Sequence, residues 1–67
     1  MSKNLLETMH EEMDRCRELK KEYDLIPTGF FGSATIVATI KQAEKAIEEG
    51  DPIKMLVALE ELKKIEG

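Results

Sequence analysis

Apolar residues recur at steps of three and four along most of this chain, and no segment alternates between apolar and polar residues. A first stripe runs from Leu5 to Tyr23, a second from Ile36 to Ile47 and a third from Met55 to Ile65. This spacing places apolar side chains on one face of an α-helix, whereas a half-buried strand alternates with period two. The sequence therefore predicts an all-α fold.

Turn residues divide this pattern into three helices. Pro27 disfavours helical backbone at Ile26 and, together with Gly29, is typical of a turn, so the first helix must end near Asp24. The predicted helices cover about residues 3–24, 33–49 and 52–65, and the second could begin as early as Phe30. We expect one domain, residues 1–67, built as an antiparallel helical hairpin with a short third helix.

Capping signals mark the other helix ends. Ser2 or Asn4 can cap the start of the first helix. Gly50 suits the residue just after a helix, and Asp51 followed by Pro52 is typical of the start of the next one. These residues predict a short connection between the second and third helices.

The chain is too short to depend on a large core. A protein of 67 residues buries only ~60% of its unfolded surface, and one core of this size rarely supplies more than about 3–5 kcal/mol. Cys16 is the only cysteine and lies on the apolar stripe, and His10 is the only histidine, so we expect neither an intrachain disulfide nor a metal site. Self-association remains as the means of stabilisation, and we predict a homo-oligomer.

The formal net charge is −4, with basic residues interleaved among acidic ones. Binding to nucleic acid needs a basic face, so nucleic acid is not expected as the main partner. The N-terminal residues lack the apolar region of a signal peptide, no run reaches the roughly 20 apolar residues that span a bilayer, and a single thiol suits a reducing compartment. We expect a cytoplasmic protein with no membrane partner and no cofactor. The cations expected on solvated faces are Arg15, Arg17, Lys41 and Lys45.

The longest uncharged run extends from Leu25 to Ile40 and reads LIPTGFFGSATIVATI, although 36% of the residues are charged. Its second half predicts a helix that is apolar or neutral on almost all sides. This uncharged surface is larger than the one face that a helical hairpin can bury. The surplus face predicts an interface between copies of the chain. The residues predicted to form this interface are Phe30, Phe31, Ala34, Val37 and Ala38.

Phe30 and Phe31 have two interpretations. They could cover the end of the hairpin as core residues, or form an aromatic platform for a partner. The core interpretation is favoured, because a small domain cannot easily leave two such rings in water. One ring could still pack inside while its neighbour faces a second subunit.

The segment TGFFGSAT also has two interpretations. Its glycines allow close approach of a ligand, and the free N–H groups of a helix start, beside the hydroxyl groups of Ser33 and Thr35, suit a phosphate. The favoured alternative is a tight interhelical turn with Ser33 as N-cap, since the segment matches neither a Walker A loop nor the dinucleotide-binding glycine pattern.

The order of elements resembles that of a known family. A charged first helix, a turn with Pro27, small and hydroxylated residues from Ala34 to Ile40 and the A-x-x-A-I pattern at Ala43, Ala46 and Ile47 are similar to the helical-hairpin nucleotide sponges of phages, of the anti-CBASS and anti-Thoeris type. The resemblance implies an oligomeric viral protein that sequesters a cyclic nucleotide or ADP-ribose-type signal between subunits. The residues assigned to such a pocket are Tyr23, Thr28, Gly29, Ser33, Thr35 and Lys41.

No pattern indicates catalysis. The carboxylates lie on charged helix faces, without the apolar surroundings that shift a pKa, and Ser33 and Thr35 have no neighbouring base. We therefore expect a non-catalytic binding protein that counters host immunity by sequestering a phosphorylated signal. One alternative is a module that inhibits or caps a host protein through its uncharged surface, and another is a purely structural assembly subunit.

Overall fold

The computed structural model describes residues 4–65, which form three helices and no strand. The helices are α1 (Leu5–Asp24), α2 (Phe30–Glu49) and α3 (Pro52–Lys64), and each contacts the other two. The predicted all-α class is confirmed. None of the helices within residues 4–65 combines the length and apolarity that crossing a membrane requires.

The start of α1 is capped by Asn4, whose Oδ1 accepts a hydrogen bond of 2.8 Å from the backbone N–H of Glu7. This is one of the two predicted caps, and the other, Ser2, lies outside the described residues, as does the predicted first residue of the helix. A cap of this kind satisfies one of the N–H groups that the first turn leaves without a partner.

The connection between α2 and α3 follows its sequence signals closely. Gly50 ends α2 with a φ of 67°, in the left-handed region that glycine adopts without a Cβ penalty. The carboxylate of Asp51 then accepts hydrogen bonds from the backbone N–H groups of Ile53 and Lys54, and Pro52 is the first residue of α3. The predicted cap and start of this helix are confirmed.

The start of α2 differs from its main prediction. The helix begins at Phe30, the earlier of the two starts considered, rather than at Ser33. Gly29 is the N-cap, and no side chain caps the first turn. Ser33 donates its backbone N–H to the carbonyl oxygen of Gly29 over 3.0 Å and therefore lies inside the helix. The N-cap role of Ser33 is wrong.

The core lies where the three apolar stripes meet. Its buried residues are Met9, Met13 and Cys16 of α1, Ile36, Ile40 and Ala43 of α2, and Ala58, Leu59 and Leu62 of α3. Cys16 is fully buried, with Sγ 3.6 Å from the carbonyl oxygen of Leu62, as expected for a small core residue. The spacing of the first and third stripes also includes Leu6, Leu56 and Leu59, of which Leu59 is buried as predicted, whereas Leu6 and Leu56 are exposed. In α3, Ala58 takes part in the core instead of Leu56.

Arg15 ties α1 to the last turn of α3. Its guanidinium donates to the carbonyl oxygens of Leu62 and Ile65, both at 2.8 Å, while Nε forms an ion pair with Glu12 at 3.0 Å. The last carbonyl groups of a helix have no partner within the helix, and a cation is favourable beside them. The predicted solvated role is therefore wrong for Arg15.

Candidate functional site

The junction between α1 and α2 is built around Tyr23. A Cβ atom at Gly32 would lie 2.9 Å from Cδ1 of the Tyr23 ring, and a Cβ atom at Gly29 would collide with the Tyr23 carbonyl oxygen. Both glycines thus let α2 start directly against the end of α1. The close approach that they allow is occupied by Tyr23, which supports the interhelical-turn interpretation.

The hydroxyl group of Ser33 is engaged within the chain. Its Oγ donates to Oδ1 of Asp24 over 2.6 Å, and Nζ of Lys20 forms an ion pair with Oδ2 of Asp24 at 2.7 Å. The hydrogen bond from Lys20, followed by that from Ser33, lowers the pKa of Asp24. An ionised carboxylate therefore lies beside the first turn of α2, which makes this helix terminus less favourable for a phosphate.

A shallow depression of about 460 Å³ brings some of the predicted residues together. Its lining consists of Lys20, Phe30, Ser33, Ala34, Val37, Ala38 and Lys41. Ser33 and Lys41 were predicted to bind a ligand, whereas the apolar members were predicted to form the interface. The depression thus has an apolar floor with one cation from α1 and another from α2.

Tyr23 and Thr35 lie apart from Lys41. They line a second depression of about 280 Å³ to which all three helices contribute, with Glu61 and Lys64 at its edge. The hydroxyl of Thr35 donates to the carbonyl oxygen of Phe31 at 2.9 Å, so its proton is used within α2.

The remaining members of the predicted ligand set are also dispersed. Tyr23 and Ser33 share a smaller depression of about 250 Å³ beneath the turn, together with Asp24. Gly29 is buried, and Thr28 is exposed on the turn. The structure therefore distributes the six predicted ligand residues over several places instead of gathering them around one cavity.

The turn exposes four large apolar side chains, which we name the turn patch: Leu25, Ile26, Phe30 and Phe31. Leu25 is 84% exposed, Phe30 72% and Phe31 81%. The two rings meet edge to face, with centroids 5.8 Å apart. The core interpretation of the phenylalanines is therefore wrong, because Tyr23 and the glycines close the junction without them.

A second exposed apolar surface lies between the end of α2 and the start of α3. Its large exposed residues are Ile53, Leu56 and Val57. Next to them is a groove of about 310 Å³, the α3 groove, lined by Gln42, Lys45, Ala46 and Glu49 of α2 and by Ile53, Lys54 and Val57 of α3. The sequence prediction missed this surface, although the apolar residues at positions 53, 56 and 57 exceed the single stripe that α3 needs.

The side chains of residues 4–65 give little indication of a metal site or of a reactive nucleophile. Within residues 4–65, no group of three or more histidine, cysteine, aspartate and glutamate side chains is placed to hold a metal ion. Burial raises the pKa of the Cys16 thiol, outweighing the opposite effect of Arg15. A buried thiol with a raised pKa is not a nucleophile at neutral pH. The apolar surfaces are therefore the features of this region that call for a functional explanation.

The residues that carry the resemblance to phage nucleotide sponges have different surroundings. Ala34 is exposed, whereas Ala43 and Ala46 are buried and Ile47 is half-buried, so the A-x-x-A-I pattern belongs mainly to the packed side of α2. Membership of the sponge family stays a prediction. No protein-family model, curated protein or solved structure matches this chain.

Proposed function

We propose that the protein is a non-catalytic binding protein that acts as a homo-oligomer, with the turn patch and the adjoining face of α2 forming the contact. The exposure of Leu25, Phe30 and Phe31 carries this proposal. Folding of one chain leaves these large side chains in water, and a contiguous apolar surface on a small protein marks an interaction site.

The free energy available from burying the turn patch is comparable with the cost of association. Because an aromatic side chain buries 150–250 Å², the exposed parts of Phe30 and Phe31 present on the order of 300 Å². Their burial at about 25 cal/mol per Å² contributes on the order of 7 kcal/mol per copy. This offsets much of the roughly 4–15 kcal/mol that association costs in lost freedom, and Leu25 and Ile26 add to it.

Within each copy, α1 and α2 are proposed to form an antiparallel hairpin. The connection between them runs only from Leu25 to Gly29, and Tyr23 at the end of α1 packs against Gly32 at the start of α2. Short connections favour antiparallel neighbours among packed helices. This arrangement places the turn patch at one tip of the hairpin.

The mass in solution, measured by light scattering, tests the proposed self-association. The wild type should exceed the 7.6 kDa of one chain, whereas Phe31→Glu and Ala38→Glu should both reduce the mass to one chain, because a buried unpaired charge is strongly unfavourable. A wild type with the mass of one chain would contradict the proposal and favour the alternative in which the turn patch covers a different protein.

Leu6→Glu is the matched control for Phe31→Glu. Leu6 and Phe31 are both exposed apolar residues at the second position of their helices, where a glutamate is compatible with the helix dipole. Neither substitution should unfold the monomer. Only the substitution in the turn patch should change the mass, and an equal effect of both would show that association does not depend on that patch.

A small anionic ligand at the subunit contact is a second candidate function. The favouring observation is that Lys41 borders the depression whose apolar floor adjoins the turn patch, together with Lys20, which is paired with Asp24. In this version the protein sequesters a cyclic nucleotide or an ADP-ribose-type signal and acts for a phage against host defence. Titration with cyclic dinucleotides and cyclic ADP-ribose isomers by calorimetry should release heat, and Lys41→Ala should abolish it. No heat from any of them would exclude this version and leave self-association untouched.

A further inference from the structure

The two exposed apolar surfaces lie at opposite ends of α2. The turn patch surrounds its first residues, and the α3 groove is formed by its last turns together with the start of α3. A helix from Phe30 to Glu49 is about 30 Å long. The two surfaces are therefore too far apart for one side chain to cover both.

The shapes of the two surfaces differ. The turn patch projects two aromatic rings into solvent, with Phe31 exposed by 81%. The α3 groove is concave, with apolar surface from Ala46, Ile53 and Val57 and a volume of about 310 Å³. Cavities of this size lie at the lower end of those that hold small organic groups, so the groove has room for an aromatic side chain.

The charges of the two surfaces are compatible. The run from Leu25 to Ile40, which contains the turn patch, carries no charged side chain. At the groove, Glu49 and Lys54 form an ion pair at 2.7 Å and neutralise each other, which leaves Lys45 as the other charged residue of the lining. An uncharged projection that enters this groove meets no like charge, although each copy has a net charge of −4.

A contact between two turn patches would leave the apolar surface at the α3 groove exposed. If the turn patch of one copy packed on the turn patch of another, Ile53, Leu56 and Val57 would stay in water in both. A contact between the turn patch of one copy and the α3 groove of the next covers both surfaces at once. Contacts between different surfaces are heterologous and produce rings or open chains of subunits.

We propose that the ring of Phe31 of one copy, with Phe30 packed edge to face against it, docks into the α3 groove of a second copy, so that the protein assembles head to tail. This rests on the proposed self-association and specifies its geometry. The wild type should then reach masses above that of two copies. An open assembly keeps a free turn patch at one end and a free groove at the other, so further copies can add.

Two single variants and their mixture test the geometry. Phe31→Glu removes the projecting ring, and Ile53→Glu places a charge in the groove; both residues occupy the second position of a helix, where glutamate is tolerated. Each variant alone should have the mass of one chain. Their equimolar mixture should form a dimer that does not grow, because one intact groove and one intact ring pair remain. Formation of that dimer also shows that both variants are folded.

The outcomes separate the two proposals. An Ile53→Glu variant that keeps the wild-type mass, while Phe31→Glu is monomeric, overturns head-to-tail docking and leaves self-association through the turn patch standing. Two monomeric variants whose mixture stays monomeric overturn docking as well. A wild type with the mass of one chain overturns both proposals, and Leu6→Glu should match the wild type in every arm.

Discussion

The two junctions that join α2 to its neighbours are built in opposite ways. Between α2 and α3, Gly50 supplies the left-handed residue, Asp51 caps the next helix and the Glu49–Lys54 ion pair spans the connection. Between α1 and α2, no side chain caps the new helix, and the contact depends on Gly29 and the Tyr23 carbonyl group. The α2–α3 junction is thus capped by a side chain, whereas the α1–α2 junction combines backbone hydrogen bonds with close packing and leaves the turn patch in water.

Gly29→Ala should be the most damaging substitution at the packed junction. The φ of Gly29, −84°, suits alanine, but the added Cβ would collide with the Tyr23 carbonyl oxygen, which belongs to backbone and cannot rotate away. Overpacking of this kind costs typically 1–3 kcal/mol, and we expect about 3 kcal/mol off the free energy of unfolding, measured with urea. Gly32→Ala is the control and should cost less, because its Cβ meets the Tyr23 ring, a side chain that can shift.

Gly50→Ala should cost less, and for a different reason. A Cβ atom at Gly50 meets nothing within 4 Å, but φ is +67°, a conformation that costs an L-residue roughly 1–2 kcal/mol. The free energy of unfolding should therefore fall by about 1 kcal/mol. Gly50→Asn should recover part of the loss, since asparagine tolerates this conformation. Gly29→Asn, in contrast, should be no more stable than Gly29→Ala, because any Cβ at this position collides with the Tyr23 carbonyl oxygen. If asparagine were more stable than alanine at both positions, the two junctions would not differ in this respect.

The contrast between the junctions also explains what the sequence could predict. Asp51 and Pro52 act on residues within three positions, so the start of α3 is correct from local pattern alone. The start of α2 has no such signal, and Ser33 looked like a cap because serine commonly is one. Its hydroxyl instead reaches Asp24, in the preceding helix, and that contact depends on how the helices pack.

The surfaces were harder to predict than the helices, because exposure depends on the whole fold. Phenylalanine is a residue type that is common in protein cores, so the sequence favoured buried positions for Phe30 and Phe31. The structure shows that Tyr23 packs against Gly32 and closes the junction, which leaves both rings exposed. Arg15 likewise has acidic neighbours in sequence, yet its guanidinium caps α3. Four of the five predicted interface residues, Phe30, Phe31, Ala34 and Ala38, are exposed, and Val37 is half-buried. The uncharged run also contains buried Ile36 and Ile40, so the absence of charge could not show which of its residues face solvent.

The smallest effect concerns the hydrogen bond from Ser33 to Asp24 across the packed junction. The pKa of Asp24 is lowered by Lys20 first and Ser33 second. A carboxyl whose pKa is lower in the folded state stabilises the fold above its unfolded pKa, about 3.9, and this contribution is lost as the pH falls through the folded value. Ser33→Ala should bring the Asp24 pKa back toward its ordinary value. The wild type should therefore be more stable than Ser33→Ala at neutral pH, and the difference should shrink below about pH 4.

Urea unfolding at a series of pH values measures this difference, with Thr35→Ala as the control. The hydroxyl of Thr35 donates to a backbone carbonyl group rather than to a carboxylate, so the difference between wild type and Thr35→Ala should stay constant with pH. A constant difference for Ser33→Ala as well would mean that the bond to Asp24 contributes nothing. The packing of Tyr23 against the glycines, rather than the bond from Ser33, would then be the main difference between this junction and the one capped by Asp51.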